Sequence, residues 1–301
     1  MKGGGTKRFT MKDDGEEGIY EGEFNAKGER HGKGIMHDID SDTVYEGDWK
    51  NDKMDGNGKF TYGKKSGYKG VSYEGEFKDN DFSGHGNYID QKLAYRGEFV
   101  NNKKHGMGYV TTTGVMGRCV MYVEFKDDEF IKGTGTRCYK DVKEEGEFKD
   151  DILVKGKRHY MSGQIEEGDF VNGRIRNGKK TWPDDQVYVG TYNENGDMHG
   201  EGRFVGRYKY DGEYQNGKRN GFGVFTYPDG SVYEGQFKND KMDGMGKLTL
   251  ANGTTKTGRF HDNQPYPDVV VFNPAQNSIF TELGPAGRVF SRTSKRRPSR
   301  K

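Results

Sequence analysis

One pattern recurs along the whole chain: a run of the type Tyr-Glu-Gly-Glu-Phe, followed seven or eight residues later by Gly-x-Gly. Runs of this kind begin at Tyr20, Tyr45, Tyr73, Tyr95, Met121, Glu144, Glu166, Tyr188, Tyr210, Tyr233 and Lys256. That makes eleven copies with a period of about 23 residues, and the heptapeptide Lys-Asn-Asp-Lys-Met-Asp-Gly stands verbatim at 50–56 and at 238–244. A fixed period of this length means one supersecondary unit stacked many times, each copy burying its apolar face against its neighbours.

The alternation inside a copy gives the local structure. In the second copy Tyr45, Gly47 and Trp49 alternate with Glu46, Asp48 and Lys50, and Gly56, Gly58, Phe60 and Tyr62 alternate with Asn57, Lys59 and Thr61. A period of two is that of a β-strand with one apolar and one polar face. The same first-strand face recurs as Tyr20, Gly22, Phe24; Tyr73, Gly75, Phe77; Tyr95, Gly97, Phe99; Tyr210, Gly212, Tyr214; and Tyr233, Gly235, Phe237. Turn residues separate the strands, as in Asn216–Gly221, and Pro228-Asp229-Gly230 and Ala251-Asn252-Gly253 separate copies. The expected fold is all-β, an elongated single antiparallel sheet of stacked hairpins. Glycine inside a strand marks a place where another group approaches the backbone, so the rings of one strand are expected to lie over the glycine gaps of the next. At about 4.8 Å per strand, eleven two-strand copies would extend roughly 100 Å.

These residues resemble a known family. The 23-residue Tyr-Glu-Gly-Glu-Phe…Gly-x-Gly unit is similar to the MORN (membrane occupation and recognition nexus) repeat, and the resemblance runs from Tyr20 to Phe260, about 80 % of the chain. It implies a rod of hairpins without an active site, of the kind found in scaffold proteins of membranes and the cytoskeleton. The first copy, Asn25–Gly34, also resembles the opening repeat of radial spoke head proteins of cilia, which implies axonemal partners. The copies at Met121, Glu144 and Glu166 depart from the pattern: the leading Tyr is gone, and Gly156-Lys157-Arg158 and Gly178-Lys179-Lys180 stand where Gly-x-Gly is expected. Residues 121–180 therefore read either as drift within a tolerant array or as a bend or partner site.

Composition fits an ordered chain with unusual building blocks. Leu, Ile, Val and Phe together make only about 17 % of the 301 residues, a level at which disorder is a live reading, but aromatics reach 13 % and the formal charge is only +2. Tyr, Phe and the 48 Gly take the place of aliphatics. No stretch is long and apolar enough for a membrane helix, and Met1–Thr10 lacks a signal-peptide core, so the chain reads as intracellular. Two cysteines, Cys119 and Cys138, exclude a disulfide framework and a Cys-rich zinc site and read as structural thiols.

Apparent catalytic signals dissolve into the repeat. Gly58…Gly63-Lys64-Lys65 and Gly173…Gly178-Lys179-Lys180 approach a phosphate-binding loop but lack the following Ser/Thr and helix. His31, His105 and His199 each precede a Gly of the hairpin, and paired acids such as Glu21/Glu23 and Glu74/Glu76 recur as a ladder, whereas acid–base catalysis needs one pair in a special environment. No catalytic residue, cofactor or metal ligand is expected, and the chain reads as no enzyme.

Four segments follow: an N-terminal extension (1–19), the array (20–264), a capping strand and helix (265–285) and a basic disordered tail (286–301). Val269–Phe272 suits a buried strand, and Asn273-Pro274-Ala275-Gln276 predicts a helix start, with Ile279, Phe280 and Leu283 as its apolar face. This segment is expected to fold back on the aromatic groove or the last strand, or to serve as an adaptor peptide. The tail holds Arg288, Arg292, Lys295, Arg296, Arg297, Arg300 and Lys301 and no acid, and Ser299 after Arg296-Arg297-Pro298 is a candidate phosphosite. The leading functional expectation is a non-enzymatic scaffold spacing cytoskeletal or axonemal partners. The alternative is a linker to an acidic membrane, mainly through the tail. Nucleic acid is not expected, since the tail has no aromatic interleaving beyond Phe290. An uncovered apolar groove would favour a homodimer.

Overall fold

A computed structural model describes residues 7–13, 16–68, 70–114, 116–276 and 278–281. The described strands form an open antiparallel sheet of stacked hairpins, and no helix occurs among the described residues. The chain divides into two compact units, 1–158 and 159–301.

In the first unit the strands are β1 (Lys7–Asp13), β2 (Glu16–Phe24), β3 (Arg30–Asp38), β4 (Val44–Lys50), β5 (Lys53–Thr61), β6 (Ser72–Lys78), β7 (Asp81–Ile89), β8 (Leu93–Val100), β9 (Lys103–Gly114), β10 (Gly117–Lys126), β11 (Glu129–Tyr139) and β12 (Val142–Lys149), and the division falls within β13 (Ile152–Tyr160), whose last two residues belong to the second unit. Each of β1 to β11 pairs antiparallel with the next. The N-terminal extension thus supplies a strand, β1, ahead of the first copy, and two-strand units follow as the alternation requires.

The second unit continues with β14 (Ile165–Val171), β15 (Arg174–Thr181), β16 (Val187–Tyr192), β17 (Met198–Val205), β18 (Lys209–Gln215), β19 (Lys218–Thr226), β20 (Val232–Lys238), β21 (Lys241–Thr249) and β22 (Thr255–His261). Three short strands close it: β23 (Gln264–Pro265), β24 (Val270–Asn273) and β25 (Ser278–Thr281). β24 pairs with β22 and β25 with β24. The helix expected after Asn273 is therefore corrected to a hairpin. The Asn273 side chain accepts a hydrogen bond from the Ala275 N–H at 3.0 Å. That Asx turn uses the same chemistry as a helix N-cap, and here the chain leaves it in an extended conformation. Leu283 and the tail lie outside the described residues.

The core of each unit is a row of tyrosines on one face. Tyr20, Tyr45, Tyr73, Tyr95, Tyr188, Tyr210 and Tyr233 are fully or almost fully buried. The ring of Tyr45 meets Trp49 of its own strand edge-on at 5.1 Å and Phe77 of the next copy at 4.9 Å. In the second unit Tyr210 repeats this with Tyr214 and Phe237, each at 5.1 Å. Such T-shaped pairs contribute about 0.5–1.5 kcal/mol each beyond area burial, so each copy is tied to the next by its rings.

A further correction concerns the cysteines. Cys119 of β10 and Cys138 of β11 are joined as a disulfide, with Cα atoms 5.7 Å apart, and are not free thiols. Both are buried on the core face, and the hairpin brings together residues 19 apart in sequence at a normal bridging separation.

Candidate functional site

The regular copy is closed by three devices. First, the tyrosine ring covers the glycine of the facing strand: a Cβ on Gly58 would meet Cε2 of Tyr45 at 2.5 Å, so only glycine fits. The hydroxyl then turns back and donates to the carbonyl three residues on, from Tyr45 to Asp48 at 2.8 Å and from Tyr73 to Glu76 at 2.8 Å. Burial pushes these phenols upward, to about 12 for Tyr20, Tyr95, Tyr188 and Tyr233.

Second, the returning strand carries a bulge. Between the Gly75–Gly86 and Phe77–Phe82 pairs, two extra residues stand on β7, and Gly84 takes φ 56° there. The second acid of the Tyr-Glu-Gly-Glu run caps it. Glu76 Oε1 accepts from His85 N at 2.9 Å, Asp48 Oδ2 from Asn57 N at 2.9 Å, and Glu213 Oε1 from Phe222 N at 2.9 Å. Third, the hairpin turn docks on the preceding copy. Asp52, Asn80 and Asn102 all have positive φ, as a two-residue hairpin turn requires. Their side chains accept from Arg30 N, Met54 N and Phe82 N at 2.8, 2.9 and 2.7 Å.

The middle copies are built otherwise. Glu144, with a side chain 1 % exposed, takes the tyrosine place and is held by two arginines: Arg137 Nη2 at 2.6 Å from Oε2 and Arg158 Nη2 at 2.8 Å from Oε1. Arg137 also binds Asp151 at 2.6 Å. In the second unit Glu166 takes the same place, with Lys180 Nζ at 3.5 Å, the Tyr160 hydroxyl at 3.0 Å and the Gln164 amide at 3.3 Å. Arg137, Arg158 and Lys180 occupy the position held by Phe60, Tyr88, Phe204 and Phe225 in regular copies. Wherever the tyrosine becomes Glu, an apolar neighbour becomes a cation. Between the Gly168–Gly178 and Phe170–Ile175 pairs only one extra residue is present.

The sheet face opposite the tyrosines is open. One row crosses it from β2 to β10, strand by strand: Glu21, Ile35, Glu46, Lys59, Glu74, Asn87, Arg96, Tyr109 and Tyr122. Its first part is the floor of a groove of about 980 Å³. Two mixed-sign pairs stand on this face, Lys33–Asp48 at 2.7 Å and Lys59–Glu74 at 4.0 Å. Tyr109 and Tyr122, 54 % and 43 % exposed, stand with ring centroids 4.9 Å apart. On the tyrosine side, Phe60, Tyr62, Phe82 and Tyr88 line a cavity of about 510 Å³ with Lys104 and Asp128 at its rim.

No group of three metal-ligating side chains occurs among the described residues. His105 stands 3.5 Å from Asp127, and His199 accepts from Asn216 N at 3.4 Å. The candidate tail contacts Arg288, Arg292, Lys295, Arg296, Arg297, Arg300 and Lys301, and the candidate phosphosite Ser299, lie outside the described residues.

The geometry is that of a tandem-repeat protein whose unit is a β-hairpin stacked through a tyrosine, a glycine pair and an acid. The repeat can be named: the family model of the MORN repeat matches residues 20–43, 45–67, 73–92, 95–111, 210–232 and 233–255. These six MORN repeats are regular copies, and the matches stop before the irregular middle and resume after it. A comparison with curated proteins gives no match.

Proposed function

We propose that this chain is a non-enzymatic scaffold that holds other proteins at fixed spacings in a cytoskeletal assembly, the ciliary axoneme being the setting its first repeat suggests. The observation that carries the reading is the coupling between copies. Asp52, Asn80 and Asn102 each lock a turn onto the preceding hairpin, and the tyrosine rings bridge the same junctions. A surface so tied presents side chains at a constant interval, which is what a spacer needs. MORN repeats accord with a protein-interaction or membrane-binding role, and the acid-rich open face favours protein over an acidic leaflet. The test is detergent extraction of cells expressing the full chain and a 1–282 truncation. Retention of both in the insoluble cytoskeletal pellet is expected, and release of both would overturn the reading.

A second reading rests on the tail, whose seven Lys/Arg and lack of acids suit an acidic membrane surface. Phosphorylation of Ser299 would weaken that contact by adding about −1.5 to −2 charges. A Ser299→Glu variant that binds acidic vesicles at low salt as tightly as the unmodified chain would dismiss this effect of phosphorylation.

A further inference from the structure

The open face of the first unit has a repeat of its own. Glu21, Glu46 and Glu74 lie in one row on β2, β4 and β6, with one strand between successive carboxylates. Glu46 has no ion-pair partner among the described residues, Glu74 has only Lys59 at 4.0 Å, and Glu21 stands opposite Arg8 of β1 in the register. Beside that row run Glu23, Asp48 and Glu76, and the cations at these register positions are Lys33, Lys59 and, opposite Glu21, Arg8, so this part of the face carries six acids against three cations. The row then changes character. Arg96 of β8 stands where the next carboxylate would fall, and Tyr109 and Tyr122 follow as an exposed ring pair.

We propose that this face binds a segment of a partner protein in the polyproline II conformation, with Lys or Arg at every third residue. The inference rests on the reading of the array as a protein-interaction surface and specifies its ligand. The first argument is spacing. Neighbouring strands lie about 4.8 Å apart, so carboxylates on alternate strands recur every ~9.6 Å along the row. A polyproline II helix returns to the same side every three residues, about 9.3 Å. A β-strand returns every ~6.7 Å, out of step with the row. An α-helix has no residue on the same side near ~9.6 Å, its seventh falling at about 10.5 Å.

The second argument is hydrogen bonding. Strands β2 to β9 are paired on both sides, so their backbone groups are used in the ladder and strand addition on this face is not open. A polyproline II segment needs no backbone partner and docks through side chains and ring faces. The third is the change along the row. Three cations of the ligand meet Glu21, Glu46 and Glu74, the next register position must be uncharged because Arg96 faces it, and a proline beyond it packs on Tyr109 and Tyr122. Arg96 therefore fixes where the basic run must end.

The test is fluorescence polarisation of the full chain at low salt with a labelled Pro-Pro-Arg repeat peptide. Its controls are a peptide of equal composition with the arginines clustered and an E46Q/E74Q variant of the protein. Both substituted side chains are exposed and unneeded by the hairpin devices, so folding is unaffected. Binding is expected to weaken by about ten-fold with the permuted peptide and again by about ten-fold with the variant, as for the loss of two solvent-facing ion pairs. Equal binding of the two peptides, binding unchanged by E46Q/E74Q, or no binding of either peptide would overturn the inference. None of these results bears on retention in the cytoskeletal pellet, so the scaffold reading stands or falls separately.

Discussion

The copies that begin at Tyr45 and at Glu144 do the same structural job in the first unit with opposite chemistry. At Tyr45 a neutral ring covers Gly58 and the hydroxyl closes on Asp48. At Glu144 a buried carboxylate is clamped between Arg137 and Arg158. The first solution is local and tolerant, since ring burial is non-directional and the same ring serves copy after copy. The second is mutually dependent, because a buried charge without its partners carries an uncompensated desolvation penalty. Within this molecule the repeat can thus change its core from aromatic to ionic, provided that both sides of the strand pair change together. The glycines follow: Gly58 is required by the ring above it, whereas Gly156 takes φ 145° against the backbone of Glu145.

The largest expected effect breaks the ionic side. Glu144→Ala leaves two arginines facing each other in the core and should destabilise the hairpin strands around Glu144, Val142–Lys149 and Ile152–Tyr160, by about 3–5 kcal/mol in denaturant unfolding. A loss below about 1 kcal/mol, the range of surface pairs, would show that the cluster is not a core element. Next comes the neutral side. Gly58→Ala should cost about 1–3 kcal/mol by overpacking, and in a double-mutant cycle Tyr45→Ala should relieve part of that cost. No side-chain truncation should relieve Gly156→Ala, where the obstacle is backbone. Additive effects of Gly58→Ala and Tyr45→Ala would contradict the ring-over-glycine account.

Smaller again is the turn. Asn102→Ala removes an acceptor for Phe82 N and places alanine at φ 66°, which should lower stability by about 1–2 kcal/mol in thermal or denaturant unfolding. An unchanged midpoint would show that docking between copies adds nothing. The smallest effect near neutral pH is titration of the tyrosines. Folding raises the phenols of Tyr20, Tyr95, Tyr188 and Tyr233 from 10.0 to about 12. The unfolded chain therefore loses these protons first, so their contribution is intact below pH 10 and is lost as pH rises toward about 12. Absorbance of phenolate and circular dichroism should change together in that window. Phenolate forming at these four rings near pH 10 without loss of structure would contradict their burial.

Much of this was legible in the residues. Tyr45, Gly47 and Trp49 alternating with charged neighbours gave strand, face and the ring-over-glycine contact, because these depend only on period and steric size. In the sequence the second acid of each run is only one member of a recurring ladder, whereas Glu76 and Asp48 cap the bulge, a role that appears only once the two extra residues are placed. The buried glutamates were visible as missing tyrosines. The signal that would have explained them was the switch of the Phe60 position to Arg137, Arg158 and Lys180 in the same copies. The Cys119–Cys138 contact depends on hairpin register, and the Asn273 turn satisfies a helix cap and a hairpin equally, so neither was decidable from spacing.

Hydrogen exchange by mass spectrometry on the full chain and on Glu144→Ala tests most directly whether the middle is held by its own ionic core. The account predicts that protection falls in Val142–Lys149 and Ile152–Tyr160 and stays unchanged in Val44–Lys50 and Lys53–Thr61, since each hairpin depends on its nearest neighbours. Equal protection in both proteins, or a uniform loss from Val44 to Tyr160, would contradict it.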